Sequence, residues 1–174
     1  NLKAITMTEI EEATIKVVVG TEKKSHVMSD REKKLTAYHE GGHAVVTYFC
    51  KTQDPVHQIS IIPRGMAGGY TMQLPAEDRS YGMSDKLGTI AYGRDDSEPF
   101  LGRDMGHIRD YSEATASAID AEIKHLVNTA YERTESILKQ HMDKLQEVAQ
   151  FLFQHEKMSG EEFRSVMEGT ASFL

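Results

Sequence analysis

A mainly α-helical protein with a small β element is the fold class this sequence predicts. Long stretches with apolar residues three and four apart, one pair of period-two runs joined by a turn, and a composition without tryptophan and with four prolines point that way. At 174 residues the chain has room for one ordinary domain with a real core, or for one domain and a fragment of a neighbour.

Charge and cysteine content narrow the classes. A net charge of −7 argues against a general nucleic-acid binder and gives no support to a polybasic membrane surface. The single cysteine, Cys50, cannot form an internal disulfide or a cysteine-based zinc site, so a reducing compartment and a buried structural thiol are expected. No apolar run approaches the ~20 residues of a membrane-spanning helix, and the first residues lack a signal-peptide layout. This stretch is therefore expected to be soluble, with any membrane tether lying outside it.

The elements follow in order. Residues 6–18 read as a short amphipathic helix, with Thr6 and Glu9 spaced as a capping box and Ile10, Ala13, Ile15, Val17 and Val18 as core candidates. It stops at Gly20, and the polar stretch 21–29 reads as a linker. Ser29 and Glu32 form a second capping box, opening a helix that runs to about Phe49. The period then changes to two: "VHQISII" (56–62) and "GYTMQL" (69–74) read as a hairpin joined by "PRGMAG". Glycine- and aspartate-rich loops follow, with at most a short strand at 89–92. From Ser112 the helical period returns through Ala116, Ile119, Ile123, Val127, Ala130, Ile137 and Leu138. A further helix is expected at about 142–154, and Ser159 with Glu162 caps a last one.

The second helix carries "HEGGH", in which His39, Glu40 and His43 match H-E-x-x-H. Residues i and i+4 share a helix face, so both imidazoles can reach one metal ion with a carboxylate beside them, the start of a zinc-protease site. In such a site zinc brings the pKa of bound water to about 7, and the glutamate takes the water's proton as it adds to a peptide carbonyl. Eight histidines make a chance match possible. Against chance, Gly41 and Gly42 lie consecutively inside the helix at a cost of roughly 0.8–1 kcal/mol each, which suits a close approach of backbone, metal or substrate. Alanine at Gly41 should add about 1 kcal/mol of stability if its methyl has room.

Catalytic zinc usually takes three protein ligands, and the third is not obvious. A metzincin needs glycine and histidine where Val46 and Phe49 stand, which excludes that subclass. A thermolysin-like site needs a downstream helical glutamate, and none occurs before Glu77. His57 falls in a strand and His107 in a loop, while Asp95, Asp96 and Asp104 read as turn residues.

The blocks "EKKSHVMSDREKKLTAYHEGGHAVV", "DPVHQISIIPRGMAGGYTMQLPAEDRS", "GMSDKLGTIAYG", "FLGRD" and "YSEATASAIDAEI" resemble, in order and almost end to end, the peptidase domain of the FtsH family. These are membrane-anchored, ATP-dependent zinc metalloproteases. The resemblance implies a helical zincin-like peptidase domain at 30–174, preceded by a linker at 21–29 and, at 1–20, the last helix of an AAA ATPase module. It implies one zinc per subunit held by His39 and His43, with Glu40 as catalytic base and ATP used only by the absent ATPase module.

The family's third ligand is an aspartate behind a glycine-rich motif, in a helical segment between the counterparts of "LPAEDRS" and "YGMSDKLG". Here those blocks abut at Ser80, Tyr81 and Gly82, with no equivalent motif elsewhere. The intact flanks favour a segment missing from this sequence over a true deletion; a break at Ser80–Gly82 and a two-histidine site are then expected. Gly41 replaces the family's usual alanine or serine.

The resemblance further implies a homohexamer at the cytoplasmic face of the bacterial inner membrane, degrading unfolded or membrane-extracted proteins. Substrate adding as a strand would make 67–73 the contact strip, unless that strip is an ordinary hairpin arm. The C-terminal helices could pack subunits or complete the core. The competing reading is a catalytically inactive oligomerisation module of the same family; a non-proteolytic metal-binding domain would leave Glu40 without a task.

Overall fold

The computed structural model describes residues 6–23, 28–73, 84, 86–88 and 111–170. The chain is mainly helical, with a small antiparallel sheet. It divides into two compact units: residues 1–78 with 135–174, and residues 79–134.

The first unit begins with α1 (Met7–Val18), where the Glu9 carboxylate accepts from the Thr6 backbone N–H at 2.6 Å. Of its core candidates only Ile15 is buried; Val17 and Val18 face solvent. Residues 21–23, the start of the stretch read as a linker, are docked on the 63–65 loop. Lys23 N–H donates to Pro63 O at 2.9 Å and Gly65 N–H to Thr21 O at 3.2 Å. Gly65 has φ +49°, and a Cβ there would lie 2.6 Å from Val19 O, so only glycine lets the two backbones meet. Arg64, 1% exposed, completes the contact. One guanidinium nitrogen donates to Glu12 at 2.9 Å and Glu22 at 2.5 Å, and Lys157 reaches Glu22 from the other side at 3.1 Å.

Helix α2 (Asp30–Phe49) starts on the expected capping box, with Ser29 Oγ accepting from Glu32 N–H and the Glu32 carboxylate accepting from Ser29 N–H. It packs on α4 (Met142–His155) and on a sheet of β1 (Val56–Ser60), β2 (Tyr70–Gln73) and β3 (Lys157–Ser159), ordered β2-β1-β3. β1 pairs antiparallel with both neighbours; the β1–β2 register slips by one between Val56 and Gln58, a bulge at His57. Helix α5 (Gly160–Glu168), capped by Ser159 and Glu162 as expected, closes the unit. Ala37, Ala44, Val45, Ile59, Val148, Leu152 and Met158 form the core between α2, the sheet and α4. Cys50 is only half-buried, a correction to the expected buried thiol.

The second unit's described part is residues 84, 86–88, 111–112 and the first six turns of α3 (Glu113–Gln140). Glu122 anchors the 84–88 turn: its carboxylate accepts from Ser84 Oγ at 2.7 Å and lies 3.0 Å from Lys86 Nζ. The Ser84 hydrogen bond, and then Lys86, hold this carboxyl below its ordinary range. The α3 stripe read as core is largely exposed at Ile123 and Val127, as are Leu126 and Tyr131 beside it. The expected strand at 89–92 lies outside the described residues. Among those residues no helix is long and apolar enough to cross a membrane.

Candidate metal centre

One turn of α2 builds the centre. His39 and His43 project from the same face, with Nε2 atoms 3.2 Å apart and rings 4.7 Å between centroids at 87°. Two nitrogens that both bind one zinc at about 2.0–2.1 Å in tetrahedral geometry stand roughly 3.3–3.4 Å apart. The pair therefore has the spacing of a chelating pair, and both side chains are exposed. Neutral imidazoles suit zinc, so the donor chemistry fits this metal as far as two ligands go.

Unlike the two histidines, Glu40 is buried, only 7% exposed. Strand β2 covers it. Thr71 Oγ1 lies 2.9 Å from Glu40 Oε2 and 3.0 Å from the Glu40 carbonyl oxygen, while Gln73 Nε2 donates to Thr47 Oγ1 at 2.9 Å, about two turns further along α2. Gly69, just before β2, allows this approach: a Cβ there would lie 2.8 Å from Ser60 O and from Thr36 Cγ2, and 3.0 Å from Glu40 Cγ. Thr71 was missed in the sequence because a threonine in a period-two run gives no local sign of which helix residue it will face.

The two glycines separate. Gly41 is buried against α4, where a Cβ would meet Val148 Cγ1 at 3.3 Å and Leu145 Cδ1 at 3.4 Å. Close helix packing thus accounts for Gly41. A Cβ on Gly42 would meet nothing within 4 Å among the described residues, and nothing in the structure explains that glycine.

No third metal-binding side chain joins the histidines among the described residues. His57 sits in the β1 bulge and is not gathered with them. Asp95, Asp96, Asp104 and His107, and the junction Ser80–Gly82 with its expected break, lie outside the described residues.

Comparison with known proteins places the residues in a wider set. A model of peptidase family M41 matches residues 26–80 and, as a second stretch, 79–166. ATP-dependent zinc metalloprotease FtsH 1 of Thermoanaerobacter sp. (strain X514) is 42% identical over 217 aligned positions, covering 97% of this chain and 36% of the relative. ATP-dependent zinc metalloprotease FtsH of Caldicellulosiruptor bescii is 42% identical over 214, covering 95% and 35%. FtsH 2 of Alkaliphilus metalliredigens is 41% identical over 218, covering 97% and 32%. The chain spans about a third of the length of these curated relatives. Since 97% of 174 residues is about 169, the first alignment leaves about 48 of its 217 positions with no residue from this chain. The family match changes stretch at 79–80, where the sequence blocks abut.

Proposed function

This chain belongs to peptidase family M41, and we propose that it is the zinc-dependent endopeptidase part of an FtsH-like protease, cutting unfolded or membrane-extracted polypeptides delivered by a fused AAA ATPase. The observation that carries this reading is the His39–His43 pair at 3.2 Å with a buried glutamate between them in sequence. His39 and His43 would hold the metal through Nε2. Bound zinc supplies an activated water at neutral pH and polarises the scissile carbonyl. Glu40 accepts the water's proton at its carboxylate and returns it to the leaving amine, so no covalent intermediate is needed. Among the described residues β2 pairs only with β1, leaving its outer edge for an extended substrate, with 67–73 as the contact strip. A homohexamer and anchorage at the cytoplasmic membrane face belong to the same proposal.

A second reading, an inactive oligomerisation module, is favoured by one observation: the family match is split at 79–80. Zinc content and casein cleavage separate the two. One tightly held zinc per chain and zinc-dependent cleavage support the peptidase; an assembled oligomer without zinc or cleavage overturns it in favour of the module.

A further inference from the structure

We propose that Thr71, at the close approach Gly69 allows, clamps the Glu40 carboxylate in position and is a positioning residue for the base. The inference rests on the reading of Glu40 given above and goes beyond it to the group that aims it.

Glutamate has three rotatable side-chain bonds, so a helix alone does not fix its carboxylate. A hydrogen bond from the adjoining strand does. Gly69 leaves the room for β2 to lie this close, since a Cβ there would stand 3.0 Å from Glu40 Cγ, and Thr71 meets the carboxylate at Oε2. The Thr71 hydroxyl has one proton and two acceptors in reach, Oε2 at 2.9 Å and the Glu40 carbonyl at 3.0 Å. Donation to the carboxylate is the stronger option, since hydrogen bonds to charged acceptors are about twice as strong as neutral ones. The bond occupies one oxygen and sets the direction of the other. The Gln73–Thr47 bond fastens the same strand to the same helix, so the clamp is carried by a stiff pair of elements. The base is thereby aligned by the strand whose outer edge is offered to substrate.

The test sets Thr71→Val, which keeps the shape and removes the hydroxyl, against Thr71→Ser, which keeps the hydroxyl. Crystal structures of both are compared with the unaltered chain, alongside zinc affinity, thermal midpoint and turnover of a fluorogenic peptide. In Thr71→Val the Glu40 carboxylate should leave its present position while zinc affinity is unchanged. kcat should fall roughly ten- to a hundredfold, the scale of an ångström-level misplacement, with KM within about twofold. Thr71→Ser should restore carboxylate position and kcat. A carboxylate that stays in place in Thr71→Val, or moves equally in Thr71→Ser, overturns the clamp, and this readout decides even if the unaltered chain shows no turnover. Full hydrolysis by Glu40→Gln would instead strike the base assignment and leave the clamp readable from the structures.

Discussion

The adjacent glycines of α2 should answer to alanine in opposite directions. Replacing a helix-interior glycine gains roughly 0.8–1.0 kcal/mol, largely because the unfolded chain loses freedom. At Gly42 the added methyl meets nothing within 4 Å among the described residues, so Gly42→Ala should realise that whole gain. For a chain of this size it amounts to a rise of roughly 2–4 °C in Tm. At Gly41 the methyl would lie 3.3 Å from Val148 Cγ1 and 3.4 Å from Leu145 Cδ1, inside the optimum of about 3.5–4.0 Å for carbon pairs. Val148 is fully buried, so it cannot step aside into solvent. Overpacking of this kind costs about 1–3 kcal/mol, which cancels or exceeds the helix gain. Gly41→Ala should therefore be between neutral and about 2 kcal/mol destabilised, and at least about 1 kcal/mol below Gly42→Ala. Urea unfolding followed by circular dichroism measures both. Equal stabilisation of the two variants would refute the close α2–α4 contact on which the argument stands.

Glu40→Gln should bind zinc with unchanged stoichiometry and keep its melting temperature, yet lose hydrolysis by roughly a hundredfold or more, because an amide cannot accept the water's proton; casein cleavage with metal analysis checks it. Arg64→Met should cost less than Glu12→Gln combined with Glu22→Gln; both end the ion pairs of Arg64, and the double variant also ends the Lys157–Glu22 pair. The acids are 54% and 27% exposed and can rehydrate, whereas an unpaired Arg64 stays buried and costs about 3–5 kcal/mol; chemical denaturation of the variants ranks them. The Lys157 hydrogen bond, aided by Arg64, lowers the Glu22 pKa below its ordinary 4.5. A depressed carboxyl contributes stability above its unfolded pKa and loses it as pH falls through the lower folded value. Glu22→Gln should therefore be less stable than the parent at pH 7 and converge on it below pH 4.5, as melting curves across that range would show.

The helices were legible because their signals are local. Three S/T-x-x-E pairs, at Thr6, Ser29 and Ser159, each open a helix where the spacing placed it. The hairpin was legible from its change of period. Strand β3 was not: three residues cannot show a period, and Lys157–Ser159 is a strand only because β1 offers it partners at Gln58, Ile59 and Ser60. Burial was legible only where a helix packs on its neighbours. The stripes of α1 and α3 have the right spacing, yet Val17 and Ile123 are exposed, since periodicity states which residues share a face and not what covers it. The histidine pair was fixed by helix geometry alone. Thr71 and Arg64 gain their roles from contacts 31 and 52 residues away, to which no local pattern refers.

The docking of residues 20–23 on the 63–65 loop also decides how the protein carries load. A pull on α1 meets the β1–β2 connection before it meets α2, because the Lys23–Pro63 and Gly65–Thr21 bonds and the Arg64 ion pairs stand between them. Tension would first be borne by the loop that leads into Gly69 and Thr71. Rupture there would free the N-terminal arm while the core of α2, α4 and α5 stayed folded, giving a two-step extension trace with the smaller step first. The contact that would yield first lies in the loop leading into the strand that carries Thr71.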